Sequence, residues 1–262
     1  MNHPLRWLAL VALDAPEMPS RESVTSWYAE HHPTGPPPVP AGSTDRLQTY
    51  TIGDYTAAAT LVPTPIPRSR WEGPASAAWY WPGAEAALQT HRAHLLVTLV
   101  DEGGPAVTKA SMLTKLSAAL AATARTTAVF WGPGRLVHPR DGFLQQADTI
   151  ADDNLPLFLW VDFRVETVDE SAVRLFTTGL EALGGTELEV PRFTGPGPRL
   201  IEYVYNIAHY QLAARKEIRD GDAIGVAENV QAVARNGPSM LQGHGPAILL
   251  DFDGDEAGGA GD

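Results

Sequence analysis

Two histidines in the segment HRAHLL are the first residues of this chain whose types and spacing could do chemistry. His91 and His94 are three residues apart, at the predicted boundary between a helix and a strand, and Arg92 follows His91 directly. Two histidines supply half of a zinc site, because a catalytic zinc ion requires a third protein ligand and an open position. The sequence has no HExxH motif to complete such a site. We expect no metal and no cofactor here, with His91 near a helix C-terminus and His94 in the core.

A group of aromatic residues forms the second candidate, in the segment WEGPASAAWYW at residues 71–81. It holds three of the seven tryptophans, and indoles at positions 71, 79 and 81 cannot share one face of a helix. A buried tryptophan covers roughly 150–250 Å² and anchors packing strongly. We expect two of the indoles to hold a helix on a sheet and one to be partly exposed. The alternative is a ligand platform, formed by Trp79 or Trp81 beside Glu72 and a nearby arginine.

The third candidate lies in PLFLWVDFRVE, residues 156–166, where residues alternate as they do in a strand. The outward face of that strand would carry Phe158, Trp160, Asp162 and Arg164. A hairpin with AVRLFTTG would add Arg174 and Thr178 to the same face. Asp162 and two arginines over an aromatic floor could bind a carboxylate or a phosphate, because a guanidinium group offers a planar fork of donors. The alternative, which we favour, is an internal ion pair on a half-exposed sheet.

Several enzyme motifs are missing from the sequence. It contains no GxSxG elbow, no GxxxxGK[ST] loop and no GxGxxG after a predicted strand. Asp220 and Asp222 flank Gly221 as they would around a divalent cation, but the later acidic ligands of a calcium loop are absent. We therefore interpret RDGDAIG as a turn.

Composition limits the classes of partner. The 262 residues include 19 Lys and Arg against 31 Asp and Glu, a net charge of −12, and 44% of them are hydrophobic. Nucleic acids and anionic membranes bind clusters of Lys and Arg, so we expect neither as a partner. A basic protein partner suits the charge better, and a small-molecule ligand stays open.

The absence of cysteine suits a reducing compartment, and we expect the protein in the cytoplasm. The apolar run Leu8–Leu13 is too short to span a bilayer. A signal peptide is the alternative for this run, but Asp14 follows it at once, and we favour a buried first strand.

The order of predicted elements indicates an α+β fold. In the first lobe, residues 1–105, a strand at about 5–13 precedes a helix capped by Ser20, and a proline-rich loop covers residues 32–42. Two strands around Gly53-Asp54, two short helical pieces and the strand AHLLVTLV complete the order β-α-β-β-α-β of a ferredoxin-like lobe.

A second α+β lobe, residues 106–252, is predicted to pack on the first, and the two could share one mixed sheet with helices packed on it. Its strongest helices are VTKASMLTKLSAALAATAR and PRLIEYVYNIAHYQLAARK, which have apolar stripes at helical spacing. The acidic, glycine-rich tail at 253–262 is predicted to be disordered.

Several segments in the same order resemble a family of bacterial proteins that carry the domain of unknown function 4261. They include the stretch from PTPIPRSRW to AHLLVTL, then VFWGPGRLVHP, LPLFLWVDFRV, LFTTGLEALGGTELEVP and DGDAIG. The resemblance runs from about residue 5 to residue 252, and the proline-rich insert at 32–42 departs from it. It implies no activity and no site residue. It implies a small bacterial accessory protein, for which an immunity-type role is an analogy.

Two functions remain after these observations. We expect a non-catalytic domain that binds a partner, because catalytic motifs are missing and aromatic anchors are abundant. The alternative is an enzyme of unrecognised class, with His91, His94, Arg92 and Asp162 in one cleft. That alternative requires the four side chains to converge within hydrogen-bond reach.

Overall fold

The computed structural model describes residues 7–100, 103–151, 153–214 and 216–253, and its contacts divide the chain into two units, 1–160 and 161–262. Each unit has its own sheet, so the α+β class is confirmed and the described strands form two sheets instead of one. The boundary predicted at 105/106 lies inside the first unit, because the strand at 126–131 pairs with the strand at 8–13. Apart from Asp253, the predicted disordered tail lies outside the described residues.

The first unit contains a seven-stranded sheet in which every described pair is antiparallel, with strand order β2-β3-β4-β5-β1-β6-β7. The strands are β1 (Leu8–Leu13), β2 (Val39–Thr44), β3 (Leu47–Ile52), β4 (Tyr55–Val62), β5 (Ala93–Leu99), β6 (Thr126–Trp131) and β7 (Leu136–Pro139). The apolar run at the N-terminus is confirmed as a strand, and it is central because it pairs with both β5 and β6.

Helices pack on both faces of this sheet. They are α1 (Arg21–His31), α2 (Arg68–Ala77), α3 (Ala84–Leu88), α4 (Ala106–Thr123), α5 (Arg140–Ala147) and α6 (Leu157–Trp160). The predicted cap of α1 is confirmed, since the Ser20 hydroxyl accepts a hydrogen bond from the Ser23 amide at 3.1 Å. α2 and α3 cover the face that includes Leu10 and Ala12 of β1. Lys109 of α4 lies over the ring of Trp7, which shares the opposite face with Ala9.

The strand order differs from the predicted ferredoxin-like one because the proline-rich segment contains an additional strand. β2 begins at Val39, inside the predicted loop, and it tolerates Pro40 because it is an edge strand with a bulge between Pro40 and Gly42. This extra strand reverses the direction of the strands that follow. As a result β4 and β5, which α2 and α3 connect, are antiparallel neighbours.

A second difference concerns residues 157–160, predicted to be part of a strand. They form the helical turn α6, in which the Leu159 amide donates to the carbonyl of Pro156 at 2.9 Å. The turn buries Trp160 completely, with its indole donating to the Thr114 hydroxyl at 2.8 Å. Packing in the core therefore overrides the alternation of the sequence. The prediction that Trp160 lies on an outward face beside Asp162 is wrong, because its side chain is in the core.

The second unit contains a six-stranded mixed sheet with order β11-β12-β13-β10-β9-β8, on which one long helix packs. Its elements are β8 (Asp162–Thr167), β9 (Ala172–Thr178), a 3₁₀ turn (Glu181–Leu183), β10 (Leu188–Thr194), α7 (Gly197–Ala213), β11 (Ala223–Ala227), β12 (Val230–Pro238) and β13 (Pro246–Asp253). The predicted hairpin of β8 and β9 is confirmed, and β10 and β13 are parallel. None of the helices in the described residues is long and apolar enough to cross a membrane.

Candidate functional site

A chain of buried hydrogen bonds fixes the aromatic segment of the first unit. The Trp71 indole donates to the Ile66 carbonyl at 3.2 Å, and the Ile66 amide donates to His91 Nε2 at 2.7 Å. His91 Nδ1 in turn donates to the Leu88 carbonyl. These three bonds connect the start of α2, the end of α3 and the residues before β5. We call Trp71, Ile66, His91 and Leu88 the α2–α3 clasp.

The clasp determines what His91 is able to do. Its Nε2 accepts a hydrogen bond from a backbone amide, and its Nδ1 donates a hydrogen bond to a backbone carbonyl, so the ring is held as the tautomer that carries its proton on Nδ1. The side chain is only 4% exposed. Because both ring nitrogens are occupied by the backbone, His91 has no free nitrogen for a substrate or a metal.

The three indoles of residues 71–81 divide as predicted. Trp71 is buried and packs in a cluster with Ala75, Leu88 and Phe130, and Trp81 is partly buried against the same cluster. Trp79, in contrast, has 57% of its surface exposed. Two indoles therefore anchor the helices on the sheet, and one faces solvent.

Tyr80 supports the exposed indole. The ring of Trp79 meets the ring of Tyr80 edge to face at 5.8 Å, and the Tyr80 hydroxyl donates to the Val137 carbonyl at 2.9 Å. Tyr80 also stacks on His138, with ring centroids 5.6 Å apart and planes 17° apart. We call Trp79 and Tyr80 the aromatic projection. The bond from Tyr80 to Val137 of β7 fixes its position.

His138 is buried directly beneath Tyr80 of the aromatic projection. Its ring contacts Tyr80 on one side and the fully buried Phe143 at 6.0 Å, and its Nε2 donates to the Leu159 carbonyl at 3.2 Å. Burial lowers the pKa of His138 from 6.5 to about 4, although the bond to Leu159 acts in the opposite direction. The ring is therefore neutral at physiological pH, which suits its place between two aromatic rings.

The other candidates of the first unit lie apart from this arrangement. His94 is 8% exposed in the central strand β5, its Nδ1 donates to the Thr64 carbonyl at 2.9 Å, and burial lowers its pKa. The Arg92 side chain is exposed, and its amide donates to the Leu13 carbonyl. Glu72 is exposed on α2 and pairs with Arg68 at 2.7 Å. None of these three side chains forms a hydrogen bond with the aromatic projection among those described.

Asp162 and Arg164 belong to the second unit, where they bond to each other at 2.6 Å. Arg174 lies on the same face, as predicted, but its guanidinium pairs with Glu166 at 2.6 Å. Each of the two arginines thus has an acidic neighbour, and the arrangement matches an internal ion pair better than an anion site.

The described residues offer no metal centre. Within them, no three His, Asp or Glu side chains are grouped in a way that could hold a metal ion. Asp220 and Asp222 accept hydrogen bonds from the backbone amides of Asn236 and Arg219, both at 2.8 Å. The interpretation as a turn is confirmed around Asp220 and Gly221, whereas the residues from Ala223 onward belong to β11.

Sequence reasoning singled out Trp79 but missed Tyr80 and His138 as its support. The segment LVHP has no local signal that would bring His138 under Tyr80. That contact depends on the pairing of β7 with β6 and on the packing of α2 against β7.

We predict that His91→Leu lowers the free energy of unfolding by about 2–5 kcal/mol. The substitution leaves the Ile66 amide and the Leu88 carbonyl buried without partners, and each such group costs about 1–3 kcal/mol. Chemical denaturation followed by circular dichroism measures the change. The same substitution at the exposed His244 is the matched control, for which we expect a change within about 0.5 kcal/mol. Equal unfolding midpoints for the two variants would contradict the clasp.

We predict that acid destabilises the first unit partly through His138. Between pH 6.5 and 4 an unfolded chain binds a proton on this residue and the folded chain does not, so the free energy of unfolding falls as pH falls. The loss attributable to His138 is about 3 kcal/mol over that range. His138→Gln keeps a donor for the Leu159 carbonyl and cannot take up the proton.

Unfolding free energies of both proteins across this pH range provide the test. We expect a shallower decline for His138→Gln, while the difference above pH 6.5 reports the packing cost of the substitution alone. His32, whose pKa burial lowers to about 4, is present in both proteins and does not affect the comparison. Parallel pH profiles would show that His138 is not held neutral.

Comparisons with known proteins identify only part of the chain. No curated protein and no solved structure matches it significantly. One family model matches, described as Domain of unknown function (DUF4261), over residues 176–250. The match extends from the end of β9 through α7 to β13, within the second unit. The predicted resemblance is thus confirmed over residues 176–250, where the chain is similar to this domain of unknown function.

Proposed function

We propose that this chain is a non-catalytic protein-interaction domain and that the aromatic projection is its docking element. One observation carries the proposal: a tryptophan with 57% of its surface exposed is supported by a tyrosine that is itself bonded and stacked on the sheet. Tryptophan and tyrosine are more frequent in protein interfaces than on the rest of the protein surface.

The energetics of binding favour such an element. Tryptophan and tyrosine are enriched among the residues that contribute most to protein interfaces. A side chain that is already held in place loses little conformational entropy when a partner covers it. The backbone is also held, since the Trp79 amide donates to Ala77 and the Trp81 amide donates to Ala78. The projection therefore meets a partner in a largely fixed conformation.

The partner that suits this surface is a protein with an apolar pocket and a basic rim. A net charge of −12 attracts basic proteins and accelerates their encounter with the chain. A small-molecule site is less well supported, because the described groove of about 830 Å³ is in the second unit, lined by residues between Asn206 and Val226. Asp222, interpreted from the sequence as part of a turn, lines it, and the residues predicted to bind a ligand or a partner do not. An accessory or immunity-type role in the bacterial cytoplasm is compatible with such a partner.

The alternative of an enzyme with a His/Arg/Asp cleft has weaker support. It requires a free nitrogen on His91, but both nitrogens bond to the backbone. It also requires a free carboxylate on Asp162, which bonds to Arg164. We therefore propose binding over catalysis.

We predict that Trp79→Ala abolishes partner binding without unfolding the protein. The purified chain and the variant are each used to enrich proteins from a soluble extract of the source bacterium, followed by quantitative mass spectrometry. Val39→Ala is the matched control, because Val39 is an apolar residue with the same exposed fraction of 57% in β2. We expect a protein that the parent and Val39→Ala enrich equally and that Trp79→Ala does not.

The affinity of the purified partner then gives the magnitude. Loss of a central tryptophan costs at least about 2 kcal/mol, so we expect calorimetry to show a dissociation constant at least about 30-fold higher for Trp79→Ala. Thermal melting should be nearly unchanged, because the removed side chain is mostly exposed. If every enriched protein binds Trp79→Ala as well as the parent, the aromatic projection is not the docking element.

A further inference from the structure

We propose that the free edge of β11 pairs with β11 of a second copy of this chain, so that the six-stranded sheets of two copies join edge to edge. β11 is the last strand of the sheet order and has one strand neighbour among the described residues, β12. This proposal concerns the second unit and is independent of the aromatic projection.

The backbone of β11 presents hydrogen-bonding groups on its free edge. The Ala234 amide donates to the Asp222 carbonyl at 2.9 Å, so the carbonyl of residue 222 points toward β12, while its amide donates to the Arg219 carbonyl at 3.1 Å. Backbone groups alternate between the two edges of a strand, so Ile224 also points toward β12. The amides and carbonyls of Ala223 and Gly225 consequently point outward, where they can pair with another strand.

The side chains of β11 do not protect this edge. Edge strands are normally guarded against pairing by charged residues, prolines or bulges. The sequence of β11 is AIGVA, with no charge and no proline, and its register irregularity lies between Gly225 and Ala227 at the far end. Ala223 and Gly225 are both exposed and small, which allows another backbone to approach closely.

A two-fold axis beside Ile224 satisfies the outward groups of both copies. In an antiparallel pair with that axis, Ala223 lies opposite Gly225 of the partner subunit, and Gly225 lies opposite Ala223 of the partner subunit. Each of these two pairs forms two hydrogen bonds, so four bonds use all the outward groups. Such an interface is isologous and closes at two copies.

The charges around β11 favour a copy over a charged partner. The groove beside this strand is lined by two cations, Lys216 and Arg219, and by two anions, Glu217 and Asp222. This rim has no net charge, although the chain has a net charge of −12 that makes copies repel elsewhere. A second copy therefore meets this rim without net repulsion, whereas a strongly basic or acidic partner would meet like charges on it.

Sedimentation equilibrium of the full chain tests the proposal. We expect the average mass to rise with concentration from 28.1 kDa toward twice that value. Ala223→Lys and Gly225→Lys each place a charge on the free edge, and each should raise the dimer dissociation constant at least tenfold. A Cβ atom at Gly225 meets no atom within 4 Å, so this substitution leaves the fold intact, which circular dichroism checks.

Ala41→Lys is the matched control, since it places the same exposed charge on β2, the edge strand of the other sheet. We expect it to dimerise like the parent. A parent that stays monomeric at every concentration overturns the proposal. It is also overturned by a dimer that both β11 variants retain, or that Ala41→Lys disrupts equally. Binding of β11 by a different protein in a monomeric chain would assign the edge to that protein and likewise overturn self-pairing.

Discussion

The α2–α3 clasp is the interaction on which the candidate docking surface depends. Residues 68–88 comprise two short helices and the turn between them, and neither helix is long enough to be stable alone. The clasp holds both ends of this segment through the two nitrogens of His91, and the buried Trp71 secures the first helix. The hydrogen bond from Tyr80 to the Val137 carbonyl then holds the turn that carries Trp79.

The two backbone bonds of the clasp also explain why a histidine is buried at position 91. Only a neutral imidazole can accept from one backbone amide and donate to one backbone carbonyl across a single ring. His138 has a related role under Tyr80, where it donates to a backbone carbonyl and stacks on aromatic rings. In both places the imidazole is a structural connector, and its burial supports the surface instead of forming a catalytic site.

The two units provide surfaces of different kinds. The first presents an apolar side chain that needs a complementary pocket, and the second presents backbone groups that β11 of a second copy can satisfy. An exposed indole selects a partner whose pocket fits its shape. An open strand edge fixes the orientation of a partner strand through backbone hydrogen bonds. A chain with both features is suited to binding a partner protein as a symmetric pair.

Sequence patterns predicted those parts of the molecule that local chemistry determines. The run at Leu8–Leu13, the cap at Ser20 and the hairpin of β8 and β9 have clear apolar or polar periodicities, and all are confirmed. The strand β2 was missed because its prolines disfavour a ladder, yet an edge position tolerates Pro40.

Contacts between residues far apart in the sequence determine the parts of the structure that local patterns did not predict. Residues 157–160 alternate like a strand, but burial of Trp160 against Thr114 requires a helical turn. The contacts of Tyr80 with Val137 and His138 join residues 57 or more positions apart, which no local pattern indicates. The division of the three indoles into two anchors and one exposed ring was predictable from the sequence. The support of the exposed ring by Tyr80 and His138 was not.

Fluorine NMR of the protein labelled with 5-fluorotryptophan tests the central claim most directly. The seven tryptophans give one resonance each, and single Trp→Phe variants assign them. When a purified partner is added, we predict that the Trp79 resonance shifts, while those of the buried Trp131 and Trp160 stay in place. A complex that forms while the Trp79 resonance is unchanged would contradict the assignment of the aromatic projection as the docking element.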